Sequence, residues 1–192
     1  MMTPVRKLAL VLDDLARLDT IRKALADNDP RGQFAALGMQ ELLISDHAVA
    51  ALVEVVARQL ALANRPAGRG AKLRLMVDPV TILRNGRDLK ADVLAQLAAA
   101  FDVMQVVLDD GHPVLHADEP ILDRAAKAAV GADCIVSVGG GTITDVAKVA
   151  AERAKVPVHV VVQTAASVDG AIKCRHRDKA NITACVFNNI AR

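Results

Sequence analysis

The sequence predicts an α/β fold, an open and mostly parallel sheet with helices on both faces, and three observations carry that reading. From Lys72 onward, short runs rich in Val, Ile and Leu alternate with longer stretches whose apolar residues recur at helical spacing. Such alternation is what crossover helices between parallel strands produce. Three consecutive glycines, Gly139, Gly140 and Gly141, stand at one of the strand-to-helix joints. The residues just after the predicted strands are polar, and in open sheets of this kind ligands bind beyond the carboxyl ends of the strands.

Residues 1–40 read as an N-terminal helical segment. From Val5 to Ala26 the pattern is helical, with Leu8, Leu12, Leu15 and Leu18 on one face, and Asn28-Asp29-Pro30-Arg31-Gly32 stops it. Glu41 to Ile44 suits a short strand. Ser45 is placed to cap a helix with an apolar face of Val49, Leu52, Val53, Val56 and Leu60, and His47 in its first turn reads as a solvated histidine. Arg65-Pro66-Ala67-Gly68-Arg69-Gly70 is a loop and the clearest boundary in the chain. Beyond it four strands are readable: Leu73 to Val77, Val103 to Leu108, Cys134 to Val138 and Val158 to Val162. The helices between them run from Asp88 to Ala100, Asp118 to Val130 and Thr142 to Ala154. Their apolar stripes are Leu89, Val93 and Leu97; Ile121, Leu122 and Ala125; and Ile143, Val146, Ala147 and Ala150.

Composition narrows the function. The chain has 192 residues, enough for one ordinary core or a nucleotide-binding domain with a small appendage. A net charge of +2 gives no reason to expect nucleic acid or an anionic membrane as partner. Aromatic residues are 2% of the chain, with no Trp or Tyr, so there is no stacking platform for bases and no interfacial belt. Cys134, Cys174 and Cys185 are an odd number at spacings that fit neither a zinc knuckle nor a redox pair, which suits a reducing cytoplasm. The basic-then-apolar start breaks at Asp13-Asp14, too short for a signal peptide or a membrane span. The expectation is a cytoplasmic protein handling small molecules.

The glycine run has two readings. As a phosphate cradle, it lets the backbone turn sharply and approach a pyrophosphate with its N–H groups at a helix N-terminus; as a tight strand-to-helix joint, it needs no ligand. Thr142 is placed to cap the helix, with Asp145 three residues on in the position of a capping box. Asp78, after the first strand, suits either the two ribose hydroxyls of an adenosine or a turn before Pro79. In the ribose role its charge disfavours a 2′-phosphate and predicts a preference for NAD over NADP. Asp109-Asp110-Gly111-His112-Pro113 reads as turn chemistry, and His116 in the same loop gains no role from its position. The usual dinucleotide fingerprint has glycines after the first strand and the acid about 20 residues later. Here Asp78 precedes the glycines, which argues against an ordinary dehydrogenase of that type.

Gly139-Gly-Gly-Thr-Ile-Thr-Asp-Val-Ala-Lys148, followed after a strand by Thr164-Ala-Ala-Ser-Val-Asp-Gly170, resembles the iron-containing alcohol dehydrogenase superfamily, specifically its glycerol-1-phosphate dehydrogenase branch. The glycine motif is common to that superfamily and to dehydroquinate synthases; the second run selects the branch. The resemblance extends from Glu41 to Gly170. It implies a Rossmann-like dinucleotide-binding domain over residues 41–170, followed in the family by a helical metal domain that the sequence lacks, and leaves 171–192 as a divergent tail. It also implies an NAD(P)-dependent oxidoreductase acting on the CH–OH of a small polyol phosphate, with a homo-oligomer among its possible states. The alternatives are a dehydroquinate synthase-like NAD-dependent cyclase and a catalytically silent nucleotide-binding fragment.

Carried over by motif, Gly139, Gly140, Gly141, Thr142 and Ile143 hold the cofactor pyrophosphate, while Thr164, Ala165, Ala166 and Ser167 touch the nicotinamide half. Asp78 corresponds to the ribose-binding acid, and Asp169 binds a substrate hydroxyl or polar groups near the nicotinamide. Asp145 and Lys148 belong to the motif, with a helix-capping Asp and a solvated Lys as the simpler readings. In the family a divalent metal, zinc, nickel or iron, polarises the alcohol oxygen, with an Asp and two His from the helical domain as ligands. After Gly170 the sequence departs from the family: Lys173 stands about where a cofactor-binding Ser is expected, and the tail to Arg192 reads as a premature end or shifted frame gives. Cys174, His176 and Asp178 alternate in that tail, but three such donors do not make a zinc site. No catalytic residue and no metal ligand is assigned, and the isolated chain is expected to be inactive.

Overall fold

The computed structural model describes residues 18–29, 31–32, 38–45 and 47–164, together with the backbone of 184–188. The elements are α1 (Leu18–Asp27), β1 (Glu41–Ser45), α2 (Leu52–Leu62), β2 (Lys72–Val77), β3 (Leu83–Arg84), β4 (Arg87–Asp88), α3 (Leu89–Ala100), β5 (Asp102–Val107), α4 (Glu119–Ala129), β6 (Cys134–Gly139), α5 (Gly141–Ala154), β7 (Val158–Gln163) and β8 (Ala184–Asn188). Six of the strands form one sheet in the order β1-β8-β7-β6-β2-β5. Every pairing in it is parallel. The expected open α/β architecture is therefore present.

Why these segments become strands is visible in their burial. Every residue of β6 and of β7 is buried, as expected for central strands of a parallel sheet covered on both faces. One face packs Leu73, Leu75, Val136, Val138, Val160 and Val162 against Leu52, Val56 and Leu60 of α2 and Leu89, Val93 and Leu97 of α3. The other packs Met76 and Ile135 against Ile121 and Ala125 of α4 and Ile143, Val146, Ala147 and Ala150 of α5. Each fully buried Leu or Ile contributes roughly 1.5–3 kcal/mol by leaving water. The stripes read from sequence for α2, α3, α4 and α5 are the faces that meet the sheet.

The helix ends follow local chemistry. The Asp88 side chain caps α3 by accepting from the Lys90 and Ala91 N–H groups, and Asp118 caps α4 through the Ile121 N–H. Ser45 does not cap α2: its hydroxyl accepts the His47 N–H in the turn that precedes the helix, and α2 begins after Ala51 with no side-chain cap. β3 and β4 form a two-residue hairpin through Asn85 and Gly86, both at positive φ (50° and 75°), a conformation that an Asn-Gly pair adopts readily.

Both ends of the chain contribute to the sheet or its core. Residues 171–192, read as a divergent tail, supply β8, which lies between β1 and β7. Its register pairs Glu41 with Ala184 on one side and Val160 with Ala184 on the other. Ala184-Cys-Val-Phe-Asn188 is a short apolar run suited to such a slot. Part of the N-terminal segment also joins the core, with Leu18 and Met39 packed on Val161. The first part of the predicted helix, residues 5–17, lies outside the described residues. Among them, no helix is long and apolar enough to cross a membrane.

Candidate functional site

The connections out of β2 and β6 define the site. These strands are neighbours, with Val77 opposite Val138, so Asp78 emerges beside Gly139. The chain leaving β2 enters α3 on one face of the sheet, whereas the chain leaving β6 enters α5 on the other. Two adjacent strands whose following helices part to opposite faces open a crevice at their carboxyl ends, where open α/β sheets take ligands.

The glycine loop floors this crevice. Gly139 has φ +149°, a conformation rarely open to other residues, and a Cβ there meets Ile143 Cγ2 at 2.7 Å and Asp78 Oδ2 at 3.4 Å. Gly139 is thus required by the fold. Gly140 differs: its φ is −85°, and among the described residues a Cβ there meets nothing within 4 Å. Among the described residues the space beside Gly140 is open, as a close-approach ligand requires.

Helix α5 starts at this opening. Its N-cap is Gly140, with no side-chain cap, so Thr142 is not the cap that the sequence suggests; it lies within the first turn. The first intrahelical bond comes from the Thr144 N–H to the Gly140 carbonyl, and the Thr144 hydroxyl donates to the same carbonyl at 3.0 Å. The N–H groups of Gly141, Thr142 and Ile143 precede it and have no intrahelical acceptor, which with the helix dipole makes an anion seat. The Ile143 side chain is buried against Gly139, leaving only its backbone for a ligand. Asp145 is no capping-box partner either, lying 3.5 Å from Lys148 Nζ. Lys148 is not the solvated lysine expected: its side chain is only 14% exposed.

The two carboxylate oxygens of Asp78 have different surroundings. Oδ1 accepts the Val80 N–H at 2.9 Å, which is the turn role. Oδ2 is the oxygen that faces Gly139. The residue that sequence reasoning missed is Lys90, 5% exposed, whose ammonium donates to Asp78 Oδ1 at 2.5 Å, the Asp78 carbonyl at 2.7 Å and the Val80 carbonyl at 2.5 Å. A lysine in the first turn of a helix carries no sequence signal for this.

Thr164 closes the other side. Gln163 pairs with Gly139, and the Thr164 N–H donates to the Gly139 carbonyl at 3.2 Å, so the end of β7 lies against the loop. Ala165, Ala166, Ser167 and Asp169 lie outside the described residues, as do Cys174, His176 and Asp178. Beneath α5, buried His159 shares a hydrogen bond with Ser137 Oγ at 2.9 Å. Burial, helped by the positive charge of Lys148, lowers its pKa to about 3 and keeps the ring neutral. Burial likewise pushes the Cys134 thiol up, which makes it an unreactive core residue.

The loop after β5 behaves as turn chemistry. Asp109 accepts the Gly111 N–H and Asp110 accepts the His112 and His116 N–H groups, with His116 Nδ1 2.8 Å from Asp110. Burial pushes the Asp110 carboxyl up but is outweighed by those hydrogen bonds, which hold it well below the usual carboxylate range. Among the described residues, no three His, Cys, Asp or Glu side chains gather where they could hold a metal ion.

The sequence and the fold are similar to those of known proteins. The profile of the iron-containing alcohol dehydrogenase family matches residues 53–175. A search of curated proteins finds no match. Among solved structures, a probable glycerol dehydrogenase from Sinorhizobium meliloti 1021 is similar at 20% identity and TM-score 0.57, over 80% of this chain and 40% of that one. NADH-dependent butanol dehydrogenase A from Thermotoga maritima is similar at 14% identity and TM-score 0.57, over 81% and 44%. An archaeal halo-thermophilic alcohol dehydrogenase from a Red Sea brine pool reaches TM-score 0.63 at 13% identity, over 82% and 46%. The chain thus spans less than half the length of each of these structures, and the likeness is one of fold.

Proposed function

Because the chain belongs to the iron-containing alcohol dehydrogenase family, we propose that it provides the dinucleotide-binding portion of an NAD(P)-dependent oxidoreductase of the glycerol-1-phosphate dehydrogenase type, acting on the CH–OH of a small polyol phosphate. The observation that carries the cofactor reading is the uncapped N-terminus of α5, opening beside unobstructed Gly140 in the crevice between β2 and β6. The substrate class rests on the Thr164 to Gly170 run, and a glycerol dehydrogenase among the similar structures fits a polyol.

In this reading the N–H groups of Gly141, Thr142 and Ile143 bind the pyrophosphate, with the helix dipole favouring its charge. Asp78 Oδ2 accepts from the adenosine ribose on the β2 side. Thr164 and the segment after it orient the nicotinamide half on the β7 side, and Asp169 holds a substrate hydroxyl. When bound, the nicotinamide supplies the two-electron chemistry that interconverts a secondary alcohol and a ketone. A family metal finds no ligand set among the described residues, and no step here passes through one. Calorimetric titration of the 192-residue chain with NAD and NADP tests the proposal; failure to bind either removes it.

A further inference from the structure

The buried Lys90 has no place in the cradle itself, and its position calls for a role. Its side chain is 7% exposed and that of Asp78 16%, so the pair is shielded from water on most sides. The three acceptors around Lys90 Nζ match the three donors of an ammonium group: Asp78 Oδ1, the Asp78 carbonyl and the Val80 carbonyl. All come from the segment that leaves β2. Lys90 sits in the first turn of α3, on one face of the sheet, while Gly139 and Ile143 belong to the other. Asp78 therefore bridges the two faces, with one oxygen fixed by Lys90 and by the Val80 N–H, and the other directed at the glycine loop.

We propose that Lys90 is a positioning residue that sets cofactor specificity: it locks Asp78 with Oδ2 facing the cradle and offsets its negative charge. The inference rests on the reading of the crevice as a dinucleotide site. An unpaired carboxylate beside the ribose repels a 2′-phosphate and so favours NAD. A carboxylate with an ammonium group on its other oxygen keeps its acceptor oxygen for a ribose hydroxyl and loses much of that repulsion. Lys90 thereby moderates the discrimination that Asp78 alone would impose. Asp88, the nearby cap of α3, is engaged with the backbone N–H groups of Lys90 and Ala91.

The test is the ratio of NADP to NAD dissociation constants, measured calorimetrically on the 192-residue chain. A merely structural ion pair affects both cofactors alike, whereas a charge-compensating one changes the ratio. Lys90→Met should raise the ratio by about tenfold or more, corresponding to at least about 1.4 kcal/mol. The electroneutral double variant Asp78→Asn/Lys90→Met should return it to within about threefold of wild type, since charge is then absent from both partners. Lys90→Gln, which keeps a donor without the charge, gives the same readout if Lys90→Met does not fold, as judged by circular dichroism. Parallel weakening of both cofactors at an unchanged ratio overturns the inference while leaving the cofactor site standing. Absence of dinucleotide binding by the wild-type chain overturns both.

Discussion

A methyl group added at Gly139 tests the packing that shapes the crevice. In Gly139→Ala the new Cβ lies 2.7 Å from Ile143 Cγ2, and Ile143, being β-branched and in a helix, has little freedom to rotate away. Overpacking of this kind costs about 1–3 kcal/mol. Holding alanine at φ +149° adds strain, also about 1–3 kcal/mol. Gly140→Ala meets nothing within 4 Å at an ordinary φ, and should cost less than about 1 kcal/mol as a poorer N-cap. Urea unfolding followed by far-UV circular dichroism measures both. In an Ile143→Ala background the clash is gone but the strain remains, so the cost of Gly139→Ala should fall by about 1–3 kcal/mol. Equal costs at the two glycines, or no coupling to Ile143, would refute the packing argument.

Two further predictions come from the buried histidine and from ligand counting. His159 has a folded pKa lowered from 6.5 to about 3, so between those values the unfolded chain takes up a proton that the folded one refuses. The stability is fully present above about pH 6.5 and falls by about 2 kcal/mol down to pH 5; urea unfolding across that range should show the slope in wild type and lose most of it in His159→Gln, and an equal slope in both contradicts the assignment. The 192-residue chain, given NAD or NADP with glycerol 1-phosphate or dihydroxyacetone phosphate, should show no change in nicotinamide absorbance with added zinc, nickel or iron, because a catalytic metal generally needs about three protein ligands and no such set gathers among the described residues. Metal-dependent turnover abolished by Asp169→Ala would contradict that.

Much of this fold was legible because its central strands are buried on both faces. Val-rich runs at β6 and β7 have no solvent-facing side to dilute them, and β2, β5, β6 and β7 fall within one residue of the ranges read from sequence. The helices were equally readable from stripes such as Leu89, Val93 and Leu97, which all meet the sheet. β8 was not, because a five-residue apolar run becomes a strand only through partners far away in the chain, β1 and β7. The hairpin at Asn85-Gly86 had its signal in that pair, but two-residue strands are too short to show alternation.

At the site, the glycines and Asp78 were readable from their place after strands, and the topology brings them together. Thr142 misled because a hydroxyl at a helix start suggests a cap, whereas Gly140 takes the cap position. Lys90 and Lys148 were illegible for a shared reason. A long cationic side chain on a helix is usually solvated, and only tertiary packing around α3 and α5 leaves these two mostly shielded from water.

The most direct test of the account is cofactor binding to a chain whose Gly140 carries a bulky side chain. The φ of −85° and the space left open around Gly140 by the described residues allow Gly140→Val to fold, so a change in binding reports on the crevice and not on the core. Calorimetric titration should show the wild-type chain binding NAD or NADP and Gly140→Val binding at least about tenfold more weakly, because the valine occupies the space through which a pyrophosphate approaches the α5 N–H groups. Equal affinity in the two proteins would contradict the claim that this glycine loop is the cofactor cradle.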